Sequence, residues 1–109
     1  MLPRANRLTK KKDFDVVFKG GKTTRADFLM AKVLMSSLPA SRFGFVVSKK
    51  VSPKATVRNK VKRRLREAAA ELLTAKQPFD TVIVALPGIE KKEFAQIHQA
   101  LLAMFKKYV

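Results

Sequence analysis

The sequence predicts an α+β fold in which helices cover a sheet, and three observations carry that expectation. Extended segments at 28–35, 42–48 and 80–86 alternate with helical periodicity at 9–19, 56–75 and 90–108. Elements in that order pack as layers around a shared core, an α/β sandwich. The chain has 109 residues, 47% of them hydrophobic, enough for one modest core and too apolar for disorder. No repeat, linker or low-complexity stretch divides residues 1–109, so a single domain is expected.

Residues 1–8 are basic and irregular and read as a mobile arm. Thr9 is the expected N-cap of a short helix stopped by Gly20-Gly21. Phe14, Val17 and Phe18 fall at i, i+3 and i+4 on it. Two roles are open for that stripe: core packing, the commoner one, and a platform on which unpaired bases stack. Lys22 to Arg25 reads as an edge strand. From Phe28 to Met35, alternation puts Leu29, Ala31, Val33 and Met35 on an apolar face, and Phe28, Met30, Lys32 and Leu34 on a mixed one.

A turn containing Pro39 leads into Arg42–Ser48, apolar on both faces and therefore expected inside the sheet. Gly44 within it indicates close backbone approach or a bulge. Ser52, with Pro53 behind it, or else Thr56, is expected to cap the next helix, which runs to about Ala75. Asp80 to Leu86 is a β-branched buried strand closed by Pro87-Gly88. A last helix from Glu90 to Tyr108 aligns Phe94, Ile97, Leu101, Met104, Phe105 and Tyr108.

The charge is concentrated around Val47-Ser48-Lys49-Lys50-Val51 and the helix after it. Between Lys49 and Arg66 every charged residue is basic, and the whole chain carries a formal +16 at pH 7. Val57, Val61, Leu65, Ala68 and Leu72 form an apolar stripe on that helix, with Asn59, Lys62, Arg63 and Arg66 opposite. Arg58 and Arg64 flank the stripe and are expected to lay their stems along it with their heads in water. Like charges four apart, as in Lys60 and Arg64 or Lys62 and Arg66, cost an isolated helix roughly 0.2–0.5 kcal/mol per pair. A polyanion lying on this face converts that repulsion into attraction and releases counterions.

Several functions lack the residues they need. With no cysteine there is no disulfide, thiol nucleophile or Cys-based zinc site. No stretch is apolar enough to span a bilayer, and the N-terminus has no signal-peptide core. The eight acids are scattered: Asp13 and Asp15 diverge on their helix, and Glu67 and Glu71 are expected to pair with Arg63, Arg64 or nearby lysines. His98, the one histidine, reads as a solvated residue. No Gly-rich phosphate loop is present. The expected partner is a nucleic acid, bound without catalysis by this chain itself.

The run Arg42-Phe43-Gly44-Phe45-Val46-Val47-Ser48-Lys49-Lys50-Val51, followed by Arg58-Asn59-Lys60-Val61-Lys62-Arg63-Arg64-Leu65-Arg66-Glu67, resembles the protein subunit of bacterial ribonuclease P. The likeness extends over nearly the whole chain. It implies the order helix, strands, helix, strand, helix, with a mixed four-stranded sheet and a left-handed βαβ crossover, similar to a ribosomal-protein domain. It also implies a division of labour. A catalytic RNA subunit removes the 5′ leader of precursor tRNA in the cytoplasm, while the protein binds that RNA, grips the leader and supports functional magnesium ions.

On this resemblance Lys49, Lys50, Arg58, Asn59, Lys60, Lys62, Arg63 and Arg66 contact RNA, and Asn59 is a possible contributor to a metal site. Phe14, Phe18 and Phe28 line the leader cleft. Neither DNA, a membrane nor a protein oligomer is required. Lys60 stands where the family motif usually has Arg, keeping the charge without the bidentate fork. Ala31 stands where an aromatic cleft residue often lies, and Leu86 where a basic residue commonly follows the strand. The alternative classes are a ribosomal-type structural RNA-binding protein or RNA chaperone, and a membrane-surface peptide, which would need the Val/Leu stripe exposed.

Overall fold

The computed structural model describes residues 4–36, 40–74 and 78–106. Its elements are α1 (Lys11–Gly20), β1 (Lys22–Arg25), β2 (Leu29–Met35), β3 (Arg42–Val46), α2 (Ala55–Ala70), β4 (Phe79–Ala85) and α3 (Phe94–Phe105). Short 3-10 turns cover Arg4–Asn6, Glu71–Thr74 and Ile89–Lys91. The four strands form one sheet in the order β1-β2-β4-β3. β2 is antiparallel to β1 and β4, whereas β3 is parallel to β4 and reaches it through α2.

Two apolar clusters hold the layers together. On one face Leu29, Ala31, Val33, Phe43, Phe79, Ile83 and Ala85 pack against Val61, Leu65, Ala68, Ala69 and Leu72 and against Ile97, Leu101, Met104 and Phe105 of α3. The rings of Phe43, Phe79 and Phe105 lie 5.7–6.3 Å apart and bolt β3, β4 and α3 together. On the other face Val17 of α1 packs with Leu8 and Val82. The fully buried Thr81 hydroxyl on β4 has no hydrogen-bond partner among the described residues. Since a buried unpaired hydroxyl costs about 1–3 kcal/mol, Thr81→Val is expected to raise unfolding stability by about 1 kcal/mol or more in chemical denaturation.

Several local expectations are corrected. β3 is an edge strand, not an interior one; it reads as apolar on both faces because α1 covers one and α2 with α3 the other. β4 holds the interior position, and its residues are nearly all buried. The open edge of β3 takes the N-terminal segment, where Arg7 bridges to Phe43 and Leu8 N–H donates to Phe43 O at 2.9 Å. Residues 5–8, expected as an arm, are therefore laid along β3, with Leu8 as the buried anchor.

Neither Thr9, Ser52 nor Thr56 caps a helix: Lys10 and Lys54 occupy the N-cap positions, with no side-chain cap at either. α2 ends at Ala70 and tightens into the 3-10 turn, so its expected end near Ala75 falls outside the described residues. The last helix is split, because Glu93 and Gln96 form a capping box that starts α3 afresh after the Ile89–Lys91 turn. Met35 and Phe94 are exposed rather than core, and Tyr108 lies outside the described residues.

Candidate nucleic-acid interface

Strand register defines the floor of the site. Gly44 pairs with Val82, and Val82 with Lys32; Val46 pairs with Val84, Val84 with Met30, and Met30 with Arg25. These two rows share the face that α1 crosses. Phe14 sits over Gly44: a Cβ built there would lie 2.4 Å from the Phe14 ring. The anticipated close approach is thus real, and it is between a strand backbone and an aromatic ring. Val17 takes the core role predicted for the stripe, while Phe14 is half-buried and Phe18, one turn further on the same face, is 37% exposed. A stripe used only for packing would bury all three. Gly44→Ala is expected to push the Phe14 ring off the strand at a cost of roughly 1–3 kcal/mol, read as a lower Tm together with altered Phe14 ring shifts in NMR.

Beside that ring lies a cleft of about 280 Å³, lined by Arg7, Leu8, Thr9, Phe14, Phe43, Gly44, Phe45, Lys62 and Arg66. It places an aromatic ring and bare backbone next to two cations from α2. Among the described residues no carboxylate lines it. The arrangement suits a flat apolar group joined to phosphates, because rings stack on Phe14 while Lys62 and Arg66 meet the charge.

α2 carries the cationic ridge away from the cleft. Asn59, Lys60 and Arg63 are exposed, and Lys62 and Arg66 are half-buried at the cleft wall. Among the described residues no carboxylate pairs with any of these cations. Glu67 is exposed and unpaired there, contrary to the expected pairing with Arg63 or Arg64. Arg58 and Arg64 do not simply reach water: Arg58 Nη1 donates to Ser52 O at 3.0 Å, and Arg64 Nη1 to Lys92 O at 2.8 Å. Both bonds go to carbonyls, so the positive charge is kept. The first turn of α2 holds no acid to complement the helix dipole, which leaves its N-terminus favourable for anions. The Val47-Ser48-Lys49-Lys50-Val51 motif is a turn whose two valines are buried and whose two lysines point outward, closed by Val51 N–H to Ser48 O at 3.1 Å.

α1 is tied to the sheet by charge. Arg42 forks onto Asp80, with Nε–Oδ1 at 3.0 Å and Nη2–Oδ2 at 2.8 Å, and its Nη1 reaches Asp13 Oδ2 at 3.3 Å. The Asp80 hydrogen bonds and the two carboxylate charges raise the guanidinium pKa further above its ordinary value despite partial burial.

Other expected residues lie elsewhere. Phe28 is not on β2 but in the turn closed by Ala26 N–H to Leu29 O, so it escapes the strand's alternation. Its ring packs against the α2/α3 core under Lys92 Nζ, 5.4 Å from the centroid, whereas Phe14 packs on the other sheet face. Ala31 is fully buried in that same core. The β2 positions on the α1 side are Met30, Lys32 and Leu34, of which strand alternation alone did not distinguish any as site residues. His98 is not simply solvated, since it contacts Glu71 and stacks on Phe94 at 5.7 Å. Among the described residues no three His, Asp or Glu gather as metal ligands, and Asn59 is exposed on α2.

Fold and site together define a strongly basic α+β protein with an aromatic cleft walled by Lys62 and Arg66, which no carboxylate pairs among the described residues. A family model described as Ribonuclease P matches residues 2–109, and the chain belongs to the ribonuclease P protein family. A ribonuclease P protein component of Synechocystis sp. is 43% identical over 88 residues, spanning 79% of this chain and 71% of the relative. That of Syntrophomonas wolfei is 33% identical over 108 residues, spanning 98% and 90%. The solved Staphylococcus aureus RNase P protein superposes with a TM-score of 0.84 at 26% identity, covering 95% of both chains.

Proposed function

We propose that this protein is the RNA-binding subunit of a ribonucleoprotein endonuclease that removes the 5′ leader of precursor tRNA in the cytoplasm, with the catalytic centre in the RNA. Asn59, Lys60 and Arg63, with Lys49 and Lys50, meet the folded RNA subunit. Phe14 and Phe18 stack leader bases, and Lys62 and Arg66 hold the adjoining phosphates. The observation that carries this reading is the cleft itself, where an aromatic ring seated on Gly44 faces Lys62 and Arg66, which no acid neutralises among the described residues.

In this reading magnesium is held mainly by RNA phosphates, and the protein contributes by reducing repulsion between RNA chains. The test adds the protein to a bacterial ribonuclease P RNA at low magnesium. Accurate 5′ cleavage that depends on the protein supports the reading. Tight RNA binding without any gain in cleavage would instead mark a structural RNA-binding protein.

A further inference from the structure

Stacking at the cleft requires the Phe14 ring to stay on Gly44, yet α1 has few anchors. Val17 is its one fully buried side chain among the described residues, and its N-terminus has no side-chain cap. The first turn, which carries Phe14, is tied to the sheet by the polar strut instead. Arg42 is fixed bidentately on Asp80, and its remaining nitrogen meets Asp13, the residue immediately before Phe14. Arg42 and Gly44 sit two apart on one face of β3. The strut thus reaches α1 one residue away from the ring that covers Gly44.

We propose that Arg42, acting through Asp13, is a positioning residue for the cleft: it fixes the first turn of α1 so that the Phe14 ring is seated on Gly44. The proposal rests on the leader-binding reading above. A planar guanidinium suits the task because one fork grips Asp80 while a separate N–H reaches Asp13 in a fixed direction. A lysine, a single point charge on a flexible stem, serves the two carboxylates less directionally.

The experiment compares Asp13→Ala, Asp13→Glu and Asp15→Ala in the reconstituted complex, using tRNA with and without a leader. Asp15 is exposed on the same helix and controls for the change in net charge. Asp13→Ala is expected to reduce the leader-dependent gain in affinity by about three- to tenfold, with assembly on the RNA subunit unchanged. Asp13→Glu should restore most of that gain, and Asp15→Ala should leave it intact. Combining Asp13→Ala with Phe14→Ala should add no further loss, since both act through one ring.

NMR reads the ring's position directly: the contact between the Phe14 ring and Gly44 Hα should weaken in Asp13→Ala and persist in Asp13→Glu and Asp15→Ala. If that contact persists, or if the two losses add, Arg42 does not position Phe14. If Phe14→Ala itself leaves the leader effect untouched, the leader reading fails, and the proposal with it.

Discussion

Phe14→Ala is expected to weaken binding of leader-bearing tRNA by about five- to 140-fold while leaving leaderless tRNA bound as before. The size follows from base–aromatic stacking, about 1–3 kcal/mol per base, with each 1.4 kcal/mol worth about tenfold. The loss should be selective because Phe14 touches the cleft and not the outer ridge of α2. Its side chain also covers Gly44, so a fall in Tm is expected alongside. Equilibrium binding of both tRNAs to the assembled complex separates the effects, since destabilisation alone lowers both affinities together.

Lys62→Ala with Arg66→Ala is expected to have a comparable effect by a different physical route. Each lost phosphate contact removes one released counterion and flattens the dependence of log K on log salt by about 0.7 for a single strand. Two contacts should therefore change the slope by about 1.4, and weaken binding at 0.1 M salt by roughly twenty- to thirtyfold. Arg63→Ala, on the exposed ridge, should instead weaken assembly with the RNA subunit whichever tRNA is present. A salt titration with each variant distinguishes the cleft wall from the ridge.

Much of this could be read from the chain because it depends on local pattern. Of the expected stripe, Val61, Leu65 and Ala68 on α2 and Leu72 in the 3-10 turn after it are buried as their spacing requires, while Val57 in the first turn is only half-buried, and Gly44 announced a close approach before its partner was known. Sheet order was harder, since β3 owes its two apolar faces to helices distant in sequence. Ala31 is buried on the apolar face to which alternation assigns it, and only the resemblance set it at the cleft; Phe28 was misplaced for a related reason. Alternation says which residues share a face, not which face meets α1, and it lapses where the chain turns at Ala26–Leu29. The break before α3 did have a signal, Glu93 with Gln96 three residues later, but glutamate is not among the usual capping residues. The Arg42 strut joins residues 29 and 38 positions apart, and no local pattern marks such a pairing.

The most direct measurement uses the absence of cysteine. A single cysteine at Thr9, in the cleft lining, or at Leu102, exposed on α3, can carry a photoactivated crosslinker in the assembled complex. Crosslinks from Thr9→Cys to 5′ leader nucleotides, and none to the leader from Leu102→Cys, are the predicted result. Leader crosslinks from the α3 position with none from Thr9 would contradict the account.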